Sequence, residues 1–199
     1  MKRHRHHFEI LGGLLTGLLL LNGCASKEPL TNYFVLAGSG SRTVKRPSSG
    51  GTAVLVRRVE IPAYLTKTSL VTMRGGIEVQ YAITQRWAEP LDQGLARAVA
   101  EDLSRDPRIR AYGFTPGAPP VEHRYDVWIR LERFEGTDRG EVVLRARWSV
   151  SSSDSSAPIT SKTVDIRRTG WQPGDYPGLV RLLSAEVLEM SRQIAKAIP

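Results

Sequence analysis

The back half of the chain alternates. Over Tyr125–Phe134, Val127, Ile129 and Leu131 fall on one side, while Trp128, Arg130, Glu132 and Phe134 fall on the other. Over Glu141–Val150, Val142, Leu144, Ala146, Trp148 and Val150 oppose Arg145, Arg147 and Ser149. A period of two with one apolar and one polar side predicts two half-buried strands, and weaker alternation predicts a third over Ile159–Arg168. The turn residues Ser151–Ser156 separate the second from the third. Upstream, Asn32–Ala37 and Ala53–Ile61 predict strands. Neither side of Ala53–Ile61 is cleanly polar in its first half, so that half is expected to be covered on both faces. Leu70–Met73 and Ile77–Ile83 predict a hairpin turning at Gly75-Gly76.

The period changes to that of a helix in two places. Leu91, Leu95, Val99 and Leu103 make an apolar stripe, with Arg97, Glu101 and Arg105 on the opposite side. Trp87-Ala88-Glu89-Pro90 precedes it, and a proline early with acids nearby suits a helix start. The second helix is predicted to begin at Asp175 or Tyr176, with Pro177 in its first turn. Its stripe is Leu179, Leu183, Val187, Met190, Ile194 and Ile198, and Arg181, Glu189, Arg192 and Lys196 are expected in solvent. The expected fold class is α+β: a single domain with a largely antiparallel or mixed sheet and the two amphipathic helices packed on one face. Gly38–Thr52 is expected to be a loop, and Ala63-Tyr64-Leu65 a turn after Pro62.

The N-terminus follows another rule. Met1–Arg5 is basic, Ile10–Leu21 is apolar, and Leu21-Asn22-Gly23-Cys24 closes the run. This order predicts a secretory signal peptide cleaved after Gly23, since the apolar run is shorter than the roughly 20 residues of a membrane span. Cys24 is the only cysteine. Its position resembles the lipobox of bacterial lipoproteins, which implies a thioether-linked diacylglycerol on Cys24 and an acylated amine. Ala25 and Ser26 follow; neither is the aspartate that retains lipoproteins at the inner membrane, so the expected location is the periplasmic face of the outer membrane. Residues 24–31 would be a lipidated tether and 32–199 the domain.

Cleavage leaves 176 of 199 residues, and the removed segment carries three cations and one anion, so the formal charge falls from +8 to +6. An exported basic chain is expected to meet anionic headgroups or an acidic protein rather than nucleic acid. His4, His6 and His7 lie in the discarded segment, and His123 is then the single histidine. With Cys24 acylated, a zinc site of His and Cys has too few ligands. No Gly-x-Ser-x-Gly, His-Glu-x-x-His or phosphate-loop motif is present. Neither a catalytic residue nor a metal or cofactor other than the covalent lipid is expected.

Six segments in order carry a family resemblance: the lipobox; Tyr33-Phe34-Val35-Leu36; Val59–Leu65 with its proline and tyrosine; Leu70-Val71-Thr72-Met73; Arg86-Trp87-Ala88-Glu89-Pro90-Leu91; and Arg133-Phe134 with Leu144–Trp148. Together they resemble the ABC-type transport auxiliary lipoproteins, the PqiC/YmbA-like family. The resemblance implies a non-catalytic subunit beside an MCE-type lipid transport system. It further implies an MCE-domain periplasmic partner, a homo-oligomeric ring and contact with outer-membrane lipids. Gly75-Gly76-Ile77-Glu78 and Pro116–Pro120 depart from the family pattern. A regulatory envelope lipoprotein, such as an activator of cell-wall synthesis, is the alternative that the residues leave open.

Two surfaces are candidates. Trp128, Arg130, Phe134, Arg145 and Arg147 would form an aromatic and basic sheet face suited to docking a partner. Arg86, Trp87, Glu89 and Pro90 are the sharpest family signature, and the start of a helix explains their spacing. Arg57 and Arg58 would be strand residues able to meet anionic lipid.

Overall fold

The computed structural model describes residues 29–37 and 50–199. The predicted signal peptide, Cys24 and the 38–49 loop lie outside the described residues. Residues Thr31–Pro199 form one unit, distinct from Met1–Leu30.

The sheet is built on its longest strand. In chain order the strands are β1 (Asn32–Phe34), β2 (Thr52–Val56), β3 (Ser69–Arg74), β4 (Glu78–Trp87), β5 (Ile109–Gly113), β6 (Tyr125–Thr137), β7 (Val142–Ser152) and β8 (Pro158–Arg168). One edge of β6 pairs antiparallel with β7, which pairs antiparallel with β8. Two shorter strands share the other edge, both parallel to β6. Val54–Val56 of β2 face Tyr125–Val127, and Thr72–Met73 of β3 face Gly136–Thr137. Between them Glu60 bridges Arg130, so the chain stays beside β6 past the end of β2. β5 pairs parallel with β2, β4 antiparallel with β3, and β1 parallel with β4. The sheet is therefore mixed and open, as the α+β expectation allowed.

Two helices, α1 (Leu91–Leu103) and α2 (Tyr176–Ala195), cover one face. Each forms where its stripe can be buried. Leu95, Val99 and Leu103 of α1, and Leu179, Leu183, Val187, Met190 and Ile194 of α2, are at most 1% exposed. They meet Val127, Ile129 and Leu131 of β6 and Leu144, Ala146 and Trp148 of β7 in one core. The Asp175 side chain caps α2 by accepting from the Gly178 N–H at 2.9 Å. Pro90 is extended and occupies the cap position, so α1 starts one residue later than a first-turn proline implies. The β3–β4 turn uses Gly75 (φ 57°) and Gly76 (φ 78°), a backbone region that side chains disfavour.

Three expectations are corrected. The strand expected over Ala53–Ile61 ends at Val56, so Arg57 and Arg58 lie past it and are not strand residues. β5 was not foreseen. Its short stretch carries Arg110 and follows Pro107-Arg108, and it becomes a strand by pairing along β2. Phe134 does not share the face of Arg130. Leu131 lies opposite Ala146 while Arg133 lies opposite Arg145, so Glu132 is an extra residue, a β-bulge. The bulge reverses the alternation. Phe134 turns into the core at 2% exposure and stacks on Trp87 with ring centroids 6.2 Å apart.

Candidate functional site: the arginine face of the sheet

The helices leave the other face of β6–β8 open. Trp128, on β6, is 45% exposed there. The Arg57 guanidinium sits 5.3 Å from its ring centroid and pairs with Asp126 at 2.7 Å. Arg130 meets Glu60 at 2.6 Å, Arg145 meets the bulge residue Glu132 at 2.9 Å, and Arg167 meets Asp165 at 3.1 Å. The result is a ladder of ion pairs. The pairs of Arg130, Arg145 and Arg167 are exposed to solvent on both sides, and such pairs contribute little stability.

One cation is left over. Arg147 lies directly opposite Arg130 in the β6–β7 register and, among the described residues, has no carboxylate partner. Like charges directly opposite across strands are unfavourable. The face therefore presents a surplus positive charge beside an exposed indole, a combination enriched at the centres of protein interfaces. Of the five candidates, Trp128, Arg130, Arg145 and Arg147 come together here, and Phe134 does not.

At the β3 end this face closes over. Glu135 is fully buried. Its carboxylate accepts from Arg133 Nε at 2.6 Å, from the Phe134 N–H at 2.8 Å and from the Tyr64 hydroxyl at 2.9 Å. Burial, and then the Glu135 charge and hydrogen bond, push the Tyr64 hydroxyl well above its usual range. Tyr64 therefore stays a neutral donor, and it ties the turn after β2 to the sheet.

The signature segment is built into the fold. Trp87 is 5% exposed against Phe134. Glu89 accepts from Arg97 Nη2 at 2.5 Å, and that same nitrogen donates to the Leu36 carbonyl at 3.0 Å. Arg97 thus pins the chain just past β1 to the start of α1. Arg86 alone of the four remains a surface side chain in a strand. Arg58 reaches Asp92 of α1 at 3.0 Å, so Arg57 and Arg58 are both engaged in ion pairs.

His123 is also occupied, with Nδ1 2.7 Å from the Val121 carbonyl and Nε2 3.1 Å from Asp126. No helix among the described residues is long and apolar enough to cross a membrane. Sequence reasoning missed Glu186, which is fully buried on α2, with both carboxylate oxygens lacking a hydrogen-bond partner among the described residues. The signal was present: Glu186 falls three residues after Leu183 and four before Met190, on the apolar stripe. Burial pushes its carboxyl up to about 8; the Glu135 charge adds to the rise and Arg168 opposes it.

The fold has known counterparts. The family model for the ABC-type transport auxiliary lipoprotein component matches residues 34–195, and the chain belongs to that family. The intermembrane transport lipoprotein PqiC of Escherichia coli strain K12 is 28% identical over 181 residues, covering 90% of this chain and 92% of that protein. The Shigella flexneri protein of the same name matches equally. Two crystal structures share the fold. One, of an uncharacterized protein, superposes with a TM-score of 0.69 at 20% identity, over 86% of this chain and all of that one. The other, a Xanthomonas campestris protein of family DUF330, gives 0.63 at 14% identity, over 82% and 92%.

Proposed function

We propose that this protein is an outer-membrane-anchored periplasmic lipoprotein, lipidated at Cys24, that serves as the non-catalytic auxiliary subunit of an MCE-type intermembrane lipid transport system. Its partner is the MCE-domain periplasmic protein, whose tube it docks to the outer membrane, and it works as a homo-oligomeric ring. The observation that carries the reading is the match to PqiC along nearly the full length of both chains. The arginine face supports it. Trp128 and the surplus Arg147 offer an aromatic, positively charged surface on a rigid three-strand ladder, suited to an acidic partner surface.

The test is co-purification. The lipoprotein, extracted from membranes, should retain the MCE-domain protein at low salt, and Trp128→Ala with Arg147→Glu should release it while the melting curve stays in place. Retention unchanged by the double substitution would remove the arginine face from the docking role. Failure to retain the MCE-domain protein under any condition would count against the function itself. Metabolic labelling with a fatty-acid analogue, lost in Cys24→Ser, tests the anchor.

A further inference from the structure

The edge formed by β1 and β4 carries apolar side chains that the fold leaves uncovered. Ile83 is 83% exposed, Tyr33 65% and Val35 50%. Scattered exposed aliphatics are ordinary on protein surfaces; the position of these is not. β1 runs parallel to β4 with Asn32 opposite Gln85 and Tyr33 opposite Arg86. The chain thus enters the domain two residues along β4 from Ile83, about 7 Å away.

The strand is irregular at that point. The β3 ladder passes from Val71 opposite Tyr81 to Ser69 opposite Arg86, so the residues between them bulge and Ile83 has no partner in β3. Two cations accompany the apolar group. Arg86 is exposed, and Lys67 lies over the Tyr81 ring at 4.2 Å. Among the described residues neither is paired with a carboxylate. An exposed branched aliphatic, a tyrosine and unpaired cations are the side chains that settle at a bilayer interface. The ring sits at headgroup depth, and each cation is attracted to an anionic surface.

Chain length supplies the second argument, which rests on the lipidation proposed above. Cys24 precedes Asn32 by eight residues, a reach of at most about 27 Å at 3.4 Å per residue. A domain of this size is roughly 40 Å across. The surface around the entry of the chain is therefore the part held nearest the anchor. We propose that the β1–β4 edge, through Ile83, Tyr33, Val35, Arg86 and Lys67, rests on the anionic headgroup layer and sets the orientation of the lipidated domain.

The experiment uses the full lipoprotein in vesicles of phosphatidylethanolamine and phosphatidylglycerol. Once Cys24 is acylated the chain has no free thiol, so single cysteines can be spin-labelled cleanly. Ile83→Cys and Tyr33→Cys are compared with Ser155→Cys in the exposed turn before β8. At 83 and 33, collisions with oxygen relative to a water-soluble nickel chelate should rise severalfold over position 155. Flotation with the vesicles, read separately, reports the anchor. Protein that floats but shows position 83 as wet as 155 overturns the edge contact alone. A label at 83 that is immobile and shielded from both reagents marks a protein contact and also overturns it. Protein that does not float overturns the anchor together with the contact.

Discussion

The two faces of the β6–β8 ladder are made by the same strands and obey different physics. On the helix side Ile129, Leu131, Phe134, Leu144, Ala146 and Trp148 are at most 4% exposed and pack as one core. On the other side neighbouring positions hold Trp128, Arg130, Arg145 and Arg147, three of them joined to acids or a cation by exposed contacts. Stability resides on the first face, and the second is free to be specified by what it meets. The division is not set by alternation alone. Glu135 and Val143 point to the arginine side and are fully buried. Strand parity assigns a residue to a face; what crosses that face decides whether it sees water.

The largest effect should come from breaking the covered face. Trp148 is 1% exposed at the centre of β7. Trp148→Ala should cost about 3–5 kcal/mol, the range for emptying a large aromatic site, read as a lowered urea midpoint with an unchanged slope. Gly136→Ala attacks the same core from the backbone, because a Cβ there would lie 2.5 Å from the Trp171 ring. Overpacking of that kind typically costs about 1–3 kcal/mol. If either variant kept the wild-type midpoint, the helix side would not be the seat of stability.

Much of this contrast was readable in the sequence, and the failures have local causes. Both helices, the Gly75-Gly76 hairpin and the three C-terminal strands follow from periods of 3.6 and 2. Phe134 was assigned to the wrong face because period counting assumes an unbroken strand, and no residue type announces the bulge at Glu132. β5 was missed because Pro107, Arg108 and Arg110 obscure it, and only its pairing with β2 makes it a strand. In the candidate site, the co-location of Trp128, Arg130, Arg145 and Arg147 was legible. The acid that Arg130 meets was not, since Glu60 comes from a distant segment.

The second effect separates the faces by pH. Glu186 is an acid on the covered side, raised from about 4.5 to about 8 chiefly by burial. Between those values the folded chain holds a proton that the unfolded chain has released, so stability falls as pH rises. The slope from this group is at most about 1.4 kcal/mol per pH unit and vanishes above about 8. Glu186→Gln should remove that slope and leave the variant more stable than wild type at pH 8. Denaturant titrations at pH 5, 6.5 and 8 would show it, and parallel curves for the two proteins would contradict the assignment.

A smaller change is expected where the covered and open regions are stitched together. Arg97 joins Glu89, Glu101 and the Leu36 carbonyl. A hydrogen bond made by a charged group is worth about 1.5–3 kcal/mol; Arg97 is partly exposed, so solvent screening brings the cost of Arg97→Ala to the lower end of that range. The loss should fall mainly on the Leu36 segment. Hydrogen exchange should show faster opening of the Ala88 N–H, which donates to Phe34, while the β6–β7 amides keep their protection. Equal loss of protection in both places would mean that β1 and the main ladder unfold as one.

The smallest stability effect should be at Arg147, and it sharpens the comparison most. The side chain is exposed, stands opposite Arg130 and has no carboxylate among the described residues. Arg147→Glu would replace a like pair by an opposite one, a change of about 0.2–1 kcal/mol in favour of the fold, measured as an equal or slightly raised melting temperature. If the face docks an acidic partner, binding should move the other way, with the salt dependence of association weakened. A gain in stability with a loss of binding is the mark of a charge kept for what it touches outside the chain. A loss of both would place Arg147 with the structural residues, and the two faces would then differ in solvent exposure and not in role.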